Sequence, residues 1–335
     1  MKHYVLLIIS LLASGAFGQD KPKLIGEIEF FGYSRSDLNK VKAALPFHEK
    51  DGFDGETFAD NVGQAAREAV KRVIGHAPTD IVPVCCDNQG NGIIFIGLSG
   101  KTIRYNPLPK GNSRLPDNIL NLYDRFINVL TEGVQKGAST EDDSKGYALA
   151  GYPPLRSIQL EMRAYAVDHE ALLRGVLETS SNDRQRIVAA ELLGYAQQSK
   201  SQIATLVRAS QDSNETVRNN ATRALSVLAR SSEKVATEIP AEGFIELLLS
   251  GTWTDLNKAS RLLDSMTRSR NAKLLTQLRS KEVLGRLIEM ARWRTGHGAP
   301  ARYILGRLAG INESRLEQLV ATGKVEVIIN ELRGK

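Results

Sequence analysis

Cysteine is nearly absent from this chain of 335 residues: there are two, adjacent at Cys85 and Cys86. A small exported domain held by disulfides carries several pairs, so hydrophobic burial must hold this fold. Side chains of strand neighbours point to opposite faces, which reads the two as one buried and one partly exposed thiol. A redox pair or an intermolecular disulfide is the other reading. Long apolar runs are missing as well, since nothing after Ala13 approaches the roughly 20 residues needed to cross a bilayer. Histidine is sparse: beyond His3, the residues His48, His76, His169 and His297 stand far apart, and no Cys-x-x-Cys or His-Glu-x-x-His pattern accompanies them. That excludes the usual zinc spacings. No Gly-x-Ser-x-Gly elbow, phosphate loop or dinucleotide fingerprint occurs. The expectation is a protein with no catalytic residue, no metal and no cofactor.

What is present begins with an address. In MKHYVLLIISLLASGAFGQD, Lys2 and His3 precede an apolar run from Tyr4 to Ala13, and Ala16 and Gly18 supply the small residues that an exporting peptidase requires. Residues 1–18 read as a signal peptide, cleaved to leave Gln19 first. An uncleaved anchor is the alternative, but the apolar core is too short to span. The expected location is periplasmic or secreted. The formal charge is +6, or +5 once Lys2 is removed. The excess is concentrated between Lys258 and Arg307, where twelve Lys or Arg face only Asp264, Glu282 and Glu289.

Residues 20–103 read as an α+β domain. LIGEIEFFGY alternates as a strand does, with Ile28 and Phe30 on one face and Glu27 and Glu29 on the other. SRSDLNKVKAALPF is a helix that Ser36 can cap and Pro46 ends; ETFADNVGQAAREAVKRVIG is a second, with an apolar stripe from Phe58 to Ile74. DIVPVCC and GIIFIGLSG follow as two strands joined by a polar turn. This strand-helix-helix-strand-strand order, with the opening IEFFGYSRSDLNKVKAALPFHEKDGFD, resembles the POTRA domain of bacterial outer-membrane secretion and assembly proteins. The resemblance implies a sheet edge that binds client peptides by strand addition. No barrel is expected after it, because strand-like alternation ceases beyond residue 103.

Residues 104–168 read as a helical connecting segment. RYNPLPKGNSRLP has the composition of an ordered linker, and Pro116 and Asp117 open a helix. GASTEDDSKGYALAGYPPL follows, with Glu141, Asp142 and Asp143 adjacent. Calcium-loop spacing is absent, so the acidic cluster reads as a solvated loop. Pro153 or Pro154 then starts another helix.

QDSNETVRNNATRALSVLA, residues 211 to 229, sets the pattern of the rest. Asp212 marks a turn, where it can accept hydrogen bonds from the backbone or from Arg218. Ala221 lets a neighbouring helix approach, and Ala224, Leu225 and Leu228 fill an interface. Equivalent stretches place Ala189, Ala221, Ala259 and Ala301 at intervals of 32, 38 and 42 residues, each after a plausible first helix. The third and fourth lack the arginine, with Leu256 and Gly298 in its place. The stretch closely resembles the second helix of a HEAT repeat, which implies an all-α solenoid of about four repeats over 169–335. Such stacks present extended surfaces to proteins and peptides.

The expected function is therefore a non-enzymatic protein- or peptide-binding scaffold of the bacterial cell envelope. The alternative is nucleic-acid binding through the basic segment 258–307, as in glycosylase-like HEAT stacks, or binding of an anionic polymer or lipid surface. Arg270, Lys273, Arg292, Trp293, Arg294 and Arg302 are the candidate contacts, with Trp293 available to stack on a base. A bilin-lyase-like or other HEAT-family activity would need a nucleophile or acid, and none is visible. Asn214, Asn220 and Asn312 are formal glycosylation acceptors, relevant only to a eukaryotic secretory route.

Overall fold

The computed structural model describes residues 23–33, 36–53, 58, 62–87, 89–138 and 140–334. The signal-peptide reading of residues 1–18 lies outside them. A small N-terminal sheet region precedes a mostly helical remainder, with sixteen helices among the described residues. The first elements are β1 (Lys23–Phe31), α1 (Leu38–Ala44), β2 (Gly52–Phe53), α2 (Gly63–Ile74), β3 (Asp80–Cys85) and β4 (Gly92–Gly97). Next come α3 (Asp117–Gln135), β5 (Glu141–Asp142), β6 (Leu149–Ala150), α4 (Pro153–Asp168), α5 (Glu170–Thr179), α6 (Asp183–Leu193), α7 (Lys200–Ala209) and α8 (Glu215–Ser231). The chain ends with α9 (Glu233–Glu238), α10 (Glu242–Leu248), α11 (Trp253–Thr267), α12 (Ala272–Gln277), α13 (Lys281–Ala291), α14 (Ala299–Leu308), α15 (Glu313–Ala321) and α16 (Val325–Arg333). Contacts divide it into two compact units that do not follow chain order.

One unit joins the sheet region, up to Thr102, to Leu248–Asn257 and the chain from Leu275 onward. Its sheet runs β2-β1-β4-β3, with β1 parallel to β4 and the other pairs antiparallel. Asp37, one residue after the expected Ser36, caps α1 by accepting from the amides of Asn39 and Lys40. Ile28, Phe30, Ile94 and Ile96 share one sheet face and meet Val41, Leu45, Ala66 and Val70 in a core. The opposite face is covered too. Every residue of GIIFIG is buried, as befits a central strand packed on both sides. Phe95, paired with Glu29 across the sheet, lies 5.0 Å from Trp253, 4.9 Å from Trp293 and 5.5 Å from His297 between ring centroids. The Trp293 indole N–H donates to the Phe30 carbonyl at 2.8 Å, and Asp80 accepts from the Trp253 amide at 2.8 Å, holding the first turn of α11. Cys85 and Cys86, expected as two thiols, are joined by a disulfide at the end of β3.

The other unit takes Ile103–Leu247 and Lys258–Leu274. Here α5 packs on α6 and α7 on α8, while α6 also packs on α8 and α5 on α7. Ala189 and Ala221 are fully buried where these helices approach. Asn182, Ser199 and Asn214 each cap a helix by accepting from amides of its first turn. Residues 104–115 run along the turns of these helix pairs. The Asn106 amide donates to Gln211, Gly111 exchanges bonds with Thr179 and Ser181, and the Leu115 amide donates to the Gln185 side chain.

Candidate functional site

The helix face of α6, α8 and α11 carries charge where packing alone would call for apolar residues. Asn220, Arg223, Val227 and Arg230 recur at helical spacing along α8, with Glu191 beside them on α6 and Lys258 and Arg261 on α11. The segment that covers this face is the acidic stretch expected to be solvated. Its carboxylates are instead taken up by arginines: Glu141 pairs with Arg223, Asp143 with Arg230 at 2.6 Å, and Asp142 with Arg156 at 3.8 Å. Glu141 keeps 1% of its side-chain exposure. The correction has a plain cause, since sequence shows the acids but not the arginines that the helices bring beneath them.

Local chemistry shapes the hairpin. The strands pair Glu141 with Ala150 and Asp142 with Leu149. The Asp142 carboxylate accepts from the Ser144 amide at 3.1 Å and hydroxyl at 2.7 Å, and Gly146 supplies the positive φ of 80° that the return needs. Tyr147 to Ala150 are buried, and the Arg163 guanidinium lies 3.8 Å from the Tyr147 ring centroid. The Ala150 amide donates to Gln159, whose amide donates to the Tyr195 hydroxyl. Between the hairpin and the helices is a cavity of about 10 Å³, room for one water, lined among others by Ala148, Glu191, Tyr195, Asn220 and Arg223.

Burial sets the electrostatics. It pushes the Glu191 carboxyl upward even with Arg223 beside it. It pushes the Lys258 ammonium down to about 7, helped by the nearby charges of Arg261 and Arg223. Arg261, likewise lowered to about 10 by burial and by Arg230, stays charged at neutral pH. The charges of Glu141 and Glu191 act on Lys258 in the opposite direction, raising it, without overcoming burial. The Arg261 Nε is buried without a hydrogen-bond partner. Among the described residues, the Arg261 Nε is thus a donor of this face that its own hairpin does not use.

The six basic-segment candidates are not brought together in one unit: Arg270 and Lys273 fall in one and Arg292, Trp293, Arg294 and Arg302 in the other. Lys273 is exposed. Trp293, expected to offer a stacking face, is fully buried against Phe95. Arg292 pairs with Glu326 at 2.8 Å, and Arg294 reaches Glu49 at 2.5 Å and Glu27 at 3.6 Å. Arg302 donates to the carbonyls of Ala291 and Trp293. Asp212 accepts from the Asn214 amide at 2.7 Å, but its arginine partner is Arg186, at 2.9 and 3.0 Å. Arg218 instead donates to the carbonyls of Asp212 and Ser213 and lies over the Tyr105 ring. Ala259 and Ala301 are fully buried. Sequence reasoning missed this face; the signal that could have found it is the recurrence of arginine at Arg223 and Arg230, seven residues apart beside the packing positions of α8.

No protein-family model matches the chain, and no curated protein matches it. Thirteen solved chains are similar. A crystal structure of an engineered protein is 16% identical, covering 65% of this chain and 94% of its own, with a TM-score of 0.39. The complex of CpcE and CpcF of phycocyanin lyase from Nostoc sp. PCC7120 is 13% identical, covering 70% of this chain and 99% of its own, with a TM-score of 0.28.

Proposed function

We propose that the chain is a non-enzymatic scaffold that binds protein or peptide segments in the bacterial cell envelope, built from a POTRA-like domain and a HEAT-type helical solenoid. The observation that carries this reading is the chain's treatment of its own extended segment. Residues 104–115 lie along the helix-pair turns and are held there mainly through backbone groups at Asn106, Gly111 and Leu115. Turns that grip extended polypeptide in this way suit a surface that recognises it elsewhere. The buried Arg186–Asp212 bridge, which ties α6 to the turn before α8, supports the HEAT reading. The sheet order β2-β1-β4-β3 supports the POTRA-like one. Strand addition at β3 is the weaker of the two binding modes, because Pro83 removes a backbone donor from that edge strand.

Two measurements test the proposal. Fractionation of the native source with N-terminal sequencing should find the protein in the envelope or outside the cell, beginning at Gln19; a cytoplasmic chain beginning at Met1 would refute the address. Crosslinking in a detergent extract of the envelope should capture partners above background, and recovery of none would count against the scaffold.

A further inference from the structure

Buried ion pairs are a poor way to stabilise a helix face, since apolar residues of similar volume do as well or better. The cations of α8 and α11 therefore call for a use beyond stability. The hairpin shows what chemistry they accept: carboxylates on an extended backbone, Glu141 on Arg223 and Asp143 on Arg230. Its hold is local and polar. The strands are two residues each, closed by the Gly151 amide on the Thr140 carbonyl at 2.8 Å, and the apolar anchorage begins only at Tyr147. Beneath it, Lys258 is 94% buried, and the Arg261 Nε is buried without a hydrogen bond. A ligand with one more carboxylate than the hairpin would satisfy the Arg261 donor that the hairpin leaves unanswered.

We propose that the face of α6, α8 and α11 is a binding site for an extended acidic segment of a partner protein, and that residues 140–146 occupy it in the free chain as a built-in competitor. This rests on the scaffold reading and names its partner class. The hairpin is tethered, so its effective concentration is on the order of millimolar, and a partner must exceed that advantage or the hairpin must be released.

The test uses the full chain and a labelled peptide of residues 138–145, ASTEDDSK, followed by fluorescence anisotropy. A variant with residues 141–146 replaced by glycine and serine should bind the peptide at least tenfold more tightly than the unaltered chain. The gain should disappear when Arg223→Met and Arg230→Met are added, and the peptide with both aspartates and the glutamate changed to amides should not bind. Should the replacement fail to fold by circular dichroism, the full-length Glu141→Gln, Asp143→Asn chain keeps the hairpin's shape and should show the same gain. Folded variants that bind the peptide no better than the unaltered chain overturn the proposal. So does equal binding of heparin or duplex DNA, which would show a general polyanion surface. A peptide exchange that produces dimers through the hairpin of a second copy overturns it as well. Failure here leaves the address and the crosslinking result untouched, and their failure leaves the peptide result untouched.

Discussion

Arg186 and Asp212 are buried together, the guanidinium held in two bonds by the carboxylate and in a third by the Ser180 carbonyl. Burial opposes the charge on Arg186, but the hydrogen bonds to Asp212 and Asp183 prevail and raise its pKa. Removing one partner leaves the other charged in the core, so Arg186→Met should cost about 3–5 kcal/mol in urea unfolding. The double variant Arg186→Met, Asp212→Leu should recover most of that loss; an equally unstable double variant would show that the pair itself is needed. The sequence showed Asp212 in a turn with Arg218 nearby, yet spacing along one chain does not say which arginine a turn residue meets. The partner came from 26 residues upstream, across the helix pair.

Glu29 offers a second residue-scale test. Burial, reinforced by Glu27 and opposed by the Arg294 amide, raises its carboxyl to about 7. Its ordinary value is 4.5, so the folded chain binds the proton more tightly than the unfolded one. The resulting stability is complete below pH 4.5 and is lost as pH rises towards 7, by up to about 3 kcal/mol. Glu29→Gln keeps an oxygen for the Arg294 amide and cannot ionise. It should therefore match the unaltered chain near pH 4 and exceed it at pH 8. Denaturation midpoints that differ by the same amount at both pH values would refute the assignment.

Among elements, β4 was the most legible. GIIFIG reads as a continuous apolar run, and such runs belong to strands covered on both faces. β1 was misleading, because the Glu27 and Glu29 phase that looks solvated is half closed by Arg294, Trp293 and their neighbours. The β5–β6 hairpin was not legible at all, since three adjacent acids describe a solvated loop as well as a paired one. Between β4 and α11 the backbone contact is tight: Lys101 bridges Ser250, and its amide donates to Leu249 at 2.8 Å. A Cβ on Gly100 would stand 2.2 Å from the Gly251 backbone. Gly100→Ala should thus force the strands of this contact apart and destabilise the unit by about 2 kcal/mol or more. A thermal midpoint unchanged within a degree would show that the contact is dispensable.

At the scale of the molecule, composition and periodicity drew boundaries at residues 103 and 168, whereas contacts assign the sheet region and the chain from Leu275 onward to one unit. The reason is the second sheet face. Phe31 and Phe95 are fully buried there, and what buries them is Trp253, Trp293 and Arg286 of α13, residues that the linear pattern assigned to helix repeats. Nothing in a run of helices shows that one stretch completes a distant sheet while the next completes its own stack. The consequence can be measured with a chain that begins at residue 104. It contains both tryptophans of the sequence, and each has lost the Phe95 ring it packs on. Their emission should move to longer wavelength, and amides of residues 275–335 should lose protection in hydrogen exchange while those of 117–247 keep theirs. Retention of buried-tryptophan emission and of protection beyond residue 275 would mean that the later helices fold on their own, and that the sheet region is an appended domain as its sequence suggested.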